Sequence, residues 1–411
     1  MPSCARVFDV IVIGAGPAGA ALAARLLQRE VRNFLVLDRY GFPRDKPCGG
    51  GLTGHADEVF AQLGLTLRVP HVASSTATVR LGGFTRQVPM QRPVKIVRRL
   101  DFDADLVAQV RAAGAEIVEN EGVDTLQVQA DGVTVTTSAG RSLRARVVVG
   151  ADGVASVVRR HLRGNRRDLP HRLFMHELPR PTPADVGDAM VYDFSAMPRQ
   201  VRGYFWLFPV PGQRCNVGIM HYPVDRRAGA WLTSELRHGL AHWGVELPEK
   251  GSKGWPVYGY EPGGPVAAPR LLTIGDAAGI DGLTGEGIAV AMEQAILAGD
   301  EIARALRSDE LSFAAFGRLL RRAAVGRELA LDRRLASLLY QRGEGWREWM
   351  SLVLFDPDML RMYAARVSGS EVLADQPWRL VRAMGRHVLA RRGRRRALAQ
   401  ALAGGDFPSP G

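Results

Sequence analysis

The first apolar run, DVIVI at residues 9–13, passes without a break into the turn GAGPAG at 14–19. A helical pattern over 20–28 follows, then a second apolar run, NFLVLD, at 33–38. A short, almost continuously apolar run is the pattern of a strand buried on both faces of a parallel sheet, so this segment predicts strand, turn, helix and strand, closing on an acid. Further runs of that kind stand at 132–137, at 145–149 (ARVVV) and at 271–274 (LLTI), each leading into a glycine-containing turn. The predicted sheet is therefore assembled from distant parts of the chain. Between these runs the pattern changes. Residues 166–269 are rich in aromatics, Pro and Gly, with β-type runs at 203–208 (GYFWLF) and 215–220 (CNVGIM); they predict an inserted antiparallel layer joined by 77–90. From Gly285 to about Arg396 the pattern is helical and rich in Arg, and the closing GGDFPSPG is expected to fray.

These elements predict an α/β protein in three parts. A discontinuous Rossmann-like cofactor domain takes 1–76, 91–165 and 270–305, a β-sheet substrate domain 77–90 and 166–269, and a helical region 306–411. With 411 residues and a hydrophobic fraction of 46%, the chain can bury cores of that number. No apolar run approaches the ~20 residues of a membrane span, and the N-terminal MPSCARVFDV lacks a signal-like apolar region, so a cytoplasmic location is expected.

The formal charge of +12 raises nucleic acid or an anionic surface as partners. Lys occurs only at 46, 95, 250 and 253, so the cationic charge is nearly all Arg, a skew that GC-rich coding would give; no nucleic-acid partner is expected. The exception is RHVLARRGRRR at 386–396, six Arg beside Leu389 and Leu398, which reads first as a solvated terminal helix and second as a peripheral contact with acidic lipid. Three scattered cysteines, Cys4, Cys48 and Cys215, suit neither a disulfide framework nor a zinc cluster, and no metal is expected.

Four motifs carry the chemistry. In GAGPAG, Gly14, Gly16 and Gly19 permit the tight turn, the close approach of a pyrophosphate and the packing of a helix whose N-terminus offers N–H donors. Asp38, beside Arg39, can accept from a ribose hydroxyl, so a dinucleotide is expected, FAD and NAD being undistinguished at this point. The second motif is GADG at 150–153, with Asp152. In the third, GDAAG at 275–279 and LTGEGI at 283–288, Asp276 follows a buried strand, and Gly285 and Gly287 open a helix over 288–298 whose N–H groups suit a phosphate or a flavin carbonyl. Asp-Gly pairs mostly make ordinary turns, so each of these is ambiguous singly. The fourth is YFWLFP at 204–209: alternation puts Tyr204, Trp206 and Phe208 on one strand face, either a wall for a long apolar substrate or a buried core strand. Separately, FPRDKPCGGGL at 42–52 sets Cys48 against three glycines that are costly to order.

In this order and spacing the motifs resemble the FAD-binding flavoprotein superfamily that contains para-hydroxybenzoate hydroxylase, and within it the geranylgeranyl reductase family, over about residues 10–299. FPRDKPCGGGLT is similar to that family's Cys-Gly-Gly loop, Arg99 in RLDFD to its R-x-x-F-D element, and YFWLFP to its Y-x-W-x-F-P motif. Gly282 stands where the family usually has proline. The resemblance implies a para-hydroxybenzoate hydroxylase-like fold and FAD as cofactor. It implies FAD contacts from Ala18, Asp38, Cys48, Arg99, Val123, Asp276, Gly287 and Ile288, with Gly49 and Gly50 as backbone against the flavin ring. Gly51 would face substrate beside the aromatic wall. The implied reaction is hydride transfer from flavin N5 to an isolated double bond of a polyprenyl-type or specialised substrate, with a proton delivered to the other carbon. NAD(P)H docking transiently, or a ferredoxin-type donor, would reduce the flavin. Cys48 is then a proton donor, a positioning group or a small structural side chain. A flavin monooxygenase acting on an aromatic or specialised metabolite is the main alternative. Halogenation ranks below it: halogenases keep W-x-W-x-I-P where Tyr204 and Phe208 stand here, and none of the four lysines is marked as catalytic.

Overall fold

The computed structural model describes residues 6–164, 169–180, 187–222, 229–249, 253–280, 283–340 and 343–404. Cys4, Lys250 and Gly282 lie outside them, as does most of GGDFPSPG. The described residues form two eight-stranded sheets. In the first, Val7–Ile13 is flanked in parallel by Phe34–Leu37 and Ser142–Gly150, and Leu271–Thr273 and Ile117–Val118 extend the parallel series on either side. The apolar runs are buried on both faces, as their continuity requires: Val10, Val12, Val36 and Val149 enter one core, while Ile11, Ile13, Leu35 and Val148 enter another. Gly132–Thr137 is not one of the parallel strands. It forms an antiparallel hairpin with Val123–Gln129 and joins the sheet antiparallel to Ser142–Gly150.

Helix Pro17–Gln28 packs on helix Ile288–Ser308, which runs ten residues beyond the 288–298 read from sequence. Small side chains allow the two axes to approach. A Cβ at Gly299 would stand 2.6 Å from Arg25 Cγ, so the bare backbone is what the packing needs.

The second sheet runs, in spatial order, through Lys253–Val257, His171–Pro179, Arg214–His221, Phe205–Val210, Met190–Asp193, His71–Leu81, Phe84–Val97 and Gly51–Leu52. It is antiparallel except where Met190–Asp193 lies parallel to His71–Leu81. Its N-terminal contribution spans most of 71–97, a longer stretch than 77–90. The glycine run is itself stitched in: Gly51 pairs with Ile96. Alternation along Phe205–Val210 sends Phe205 and Leu207 toward helix Gly229–His242, and Trp206 and Phe208 to the opposite face. That opposite face is covered by the C-terminal helices Trp346–Phe355, Pro357–Val367 and Pro377–Leu402, the last ending where Gly83 N–H donates to Ala401 O at 2.8 Å.

Candidate active site

Among the described residues a cavity lies between the two sheets. At its first end, Gly14 (φ 102°) presses the nucleotide turn against the second glycine motif, where a Cβ would stand 2.4 Å from Ala151 O. Gly19 lies beneath this turn rather than on the cavity wall, because a Cβ there would overlap Gly14 O; it serves helix packing, and Gly14, Gly16 and Ala18 form the lining. Asp38 closes the same turn: its Oδ2 accepts from Ala15 N–H at 2.8 Å and its Oδ1 from Tyr40 N–H at 2.9 Å. A ribose hydroxyl must therefore use the remaining lone pairs of a carboxylate already engaged.

Helix Pro17–Gln28 opens at Gly16 without a side-chain cap. The Arg44 guanidinium stands over that end, 3.2 Å from where a Gly16 Cβ would be, and its Nη1 lies 3.2 Å from Asp103 Oδ2. Uncapped N–H donors beside a guanidinium suit a pyrophosphate. Arg99 is buried and grips Asp103 through two bonds of 2.7 and 2.8 Å. Asp276 takes Lys46 Nζ on Oδ2 at 2.8 Å; burial opposes its charge, but Lys46 and Arg99 hold the carboxyl below its usual range. Asp152 differs. Its Oδ2 accepts from Val157 N–H, Oδ1 has no hydrogen-bond partner among the described residues, and burial raises the carboxyl. An orphaned acceptor on the cavity wall is what a hydroxyl-bearing ligand would satisfy. These residues fit FAD. Arg39, Val123, Gly285, Gly287 and Ile288 also line the cavity.

The Cys-Gly-Gly loop divides this charged cleft from an apolar chamber. Two of its glycines are demanded by the protein itself: a Cβ at Gly50 (φ 75°) would stand 2.1 Å from Val97 O, and one at Gly49 would meet the Phe208 ring at 3.0 Å. Gly51 has ordinary room, 3.4 Å from Val94 Cγ1. The reading of the run as backbone bared for the flavin therefore needs amending, because neighbouring protein atoms already exclude side chains at two positions. The loop is held by Asn216, whose Nδ2 donates to Cys48 O at 2.7 Å while its Oδ1 accepts from Trp206 Nε1 at 2.8 Å. Cys48 N–H donates to Met175 Sδ, Gly50 N–H approaches Cys48 Sγ at 3.4 Å, and the thiol lies in the field of the buried Arg99 guanidinium, whose own bonds go to Asp103.

The chamber walls are Tyr204, Trp206 and Phe208, with Met190, Met220, Leu173, Val94 and Tyr192. Tyr192 packs against Tyr204 and Phe208 with ring centroids 5.5 and 5.2 Å apart. Tyr204 also donates to Thr284 O at 2.5 Å, tying the wall to the third glycine motif. Behind that motif Glu286 accepts from Thr53 at 2.6 Å and from Arg366 at 2.5 Å, and lies 3.6 Å from His55, which bonds Glu293 at 2.6 Å. Burial alone would raise the Glu286 carboxyl and lower the His55 imidazole. The opposite charges win, so Glu286 is held well down and His55 is raised to about 10.

Sequence reasoning missed Asn216, Tyr192 and the Glu286 cluster. Asn216 did leave a signal: it is the polar residue inside the apolar run CNVGIM. Arg366 left none, because the acids it pairs with, Glu286 on one side and Glu328 with Asp332 of helix Ala324–Leu339 on the other, come from two segments remote from it in sequence.

The FAD binding domain family matches residues 7–177. The chain is 30% identical over 361 residues to the menaquinone reductase of Mycobacterium tuberculosis, covering 80% of this chain and 84% of that one. It is 27% identical over 329 residues to a digeranylgeranylglycerophospholipid reductase of Methanosphaera stadtmanae, with coverages of 74% and 80%. A rifampicin monooxygenase of Streptomyces venezuelae matches a shorter stretch, 36% identical over 165 residues, 38% of this chain and 34% of that one. The solved structure of the halogenase PltM superimposes with a TM-score of 0.70 over 96% of this chain and 94% of that one at 16% identity, a likeness of fold alone. Fold, cleft and relatives together define an FAD-dependent oxidoreductase. The chain belongs to the family of these enzymes that includes the menaquinone reductase of Mycobacterium tuberculosis.

Proposed function

We propose that this oxidoreductase saturates carbon–carbon double bonds of a long apolar, prenyl-type substrate, adding a hydride to one carbon and a proton to the other. The observation that carries the reading is the junction at Cys48: a charged dinucleotide cleft opens there into an aromatic and aliphatic chamber with a thiol at the boundary. The reductase names of the relatives support it. FAD, bound and reduced, supplies the hydride from N5. NAD(P)H docking transiently, or a ferredoxin-type donor, would provide the electrons.

The protein's own part is orientation, dryness and the proton. Tyr192, Tyr204, Trp206 and Phe208 hold a flexible chain against one wall and exclude water. Asn216 fixes the loop so that Cys48 keeps its place. Cys48 gives up its proton to the alkene carbon, and the thiolate left behind is met by Gly50 N–H and favoured by the positive charge of Arg99. Proton and hydride together complete the two new C–H bonds.

Hydroxylation is the rival, and it consumes O₂. For halogenation, Lys46 is the lysine lining the cavity, and it is engaged by Asp276. The test is to incubate reduced enzyme with geranylgeranyl-bearing and menaquinone-type substrates, with and without oxygen. Product that gains two hydrogens per double bond anaerobically supports the reading; oxygen incorporation that requires O₂ overturns it. Cys48→Ala is expected to retain FAD and lose alkene reduction, whereas unchanged turnover would remove the thiol from the reaction.

A further inference from the structure

Helix Pro377–Leu402 turns one face inward through Ala383, His387, Leu398 and Ala401. Four of the six arginines at 386–396 are spent on that body: Arg386 and Arg394 bond Asp356, and Arg391 and Arg395 bond Glu348. The opposite face is different in kind. Trp378 (54% exposed), Val381 (68%), Val388 (71%) and Leu389 (90%) stand along it at spacings of three, seven and one residues, which a helix brings to one side. One and two turns further on, the same face presents Arg392 and Arg396, which no carboxylate pairs among the described residues. Arg382, beside the apolar stripe, lies over the Trp378 ring with its guanidinium 4.8 Å from the centroid.

We propose that this outward face docks on the surface of an anionic lipid bilayer. Tryptophan and aliphatic side chains are solvated at a cost here that burial among headgroups would remove. Arg392 and Arg396 supply charge complementary to acidic lipid, an attraction worth about fivefold in affinity for each cation near the surface. No helix of the described residues is long and apolar enough to cross a membrane, and an amphipathic helix lying in the interface has no need to. The expectation centred on the arginine count at 386–396 thus shifts: most of those arginines are paired with carboxylates of the body, and the docking face begins earlier, at Trp378. This surface lies apart from the cavity and rests on no assumption about the substrate.

The experiment is co-sedimentation of the FAD-loaded full chain with vesicles of phosphatidylcholine alone and of phosphatidylcholine mixed with phosphatidylglycerol. The chain is expected to pellet with the anionic vesicles and to leave them as salt is raised. The pairs Val388→Ser with Leu389→Ser, and Arg392→Gln with Arg396→Gln, are each expected to weaken that binding by at least about tenfold. Flavin content and melting temperature should stay unchanged, since all four side chains point outward. Failure of the wild-type chain to bind anionic vesicles overturns the proposal, as does binding by both double variants at wild-type strength. A concentration-dependent dimer that the Val388/Leu389 pair abolishes, without vesicle binding, assigns the face to a second copy and overturns it equally.

Discussion

At Gly50 a positive φ and a carbonyl 2.1 Å from any added Cβ act together, whereas at Gly51 the nearest atom sits at ordinary contact distance. Neighbours in one glycine run therefore answer differently to the same change. Gly50→Ala is expected to cost more than about 2 kcal/mol in urea unfolding, and Gly51→Ala to stay within about 0.5 kcal/mol. Equal losses would return the run to a common cause. Asn216 gives a second residue-scale prediction. Removing its amide leaves Trp206 Nε1 and Cys48 O without the partner that now joins them. Asn216→Ala should cost about 1–3 kcal/mol and lower turnover while flavin content holds, because the loop rather than the nucleotide turn loses its support. Turnover that is unaffected would mean the loop is placed by its glycines alone.

At the scale of elements, the apolar runs at 9–13, 33–38 and 271–274 were legible because strands buried on both faces leave no polar alternation to misread. Tyr204, Trp206 and Phe208 were legible for the opposite reason: period two survives wherever the two faces of a strand meet different cores. What sequence does not carry is side-chain pairing between remote elements. Glu286 opens helix Ile288–Ser308, His55 stands at the start of Gly54–Leu63, and Arg366 comes from Pro357–Val367, yet the three meet behind the third glycine motif. This joint has a pH signature. His55 is raised from 6.5 to about 10, so its contribution to stability is complete below about pH 6.5 and disappears as pH rises through 10. Unfolding free energy measured from pH 7 to 10.5 should therefore fall, and the fall should be shallower in His55→Gln. Parallel profiles for the two proteins would assign the loss to other groups.

For the whole molecule, the helical C-terminal region is the part whose role sequence conveyed least. Its arginine-rich pattern announced a helix, but a one-dimensional count cannot separate arginines that bind the body from those that face outward. Asp356 makes the distinction physical. It is wholly buried, caps Pro357–Val367 by accepting from Asp358 and Met359 N–H, and takes Arg386 and Arg394 from the last helix. One carboxylate thus fastens two helices to each other beside the sheet that walls the chamber. Burial works against its charge, but the two arginines and the capping bonds hold its pKa at about 2, against an ordinary 3.8. A depressed carboxyl contributes stability that is present above its unfolded value and lost as pH falls through the folded one, so the window lies between about pH 4 and pH 2, with about 2 kcal/mol at stake. Hydrogen exchange offers a local reading that general acid unfolding does not blur. Amides of Pro377–Leu402 should lose protection between pH 4.5 and 2.5 ahead of those in Val7–Ile13. In Asp356→Asn the helix should be equally labile at both pH values, because the amide can keep the cap yet cannot hold two guanidinium groups. Protection that falls in step across helix and strand in the wild-type chain would show that the last helix is fastened by apolar contact, with Asp356 incidental to it.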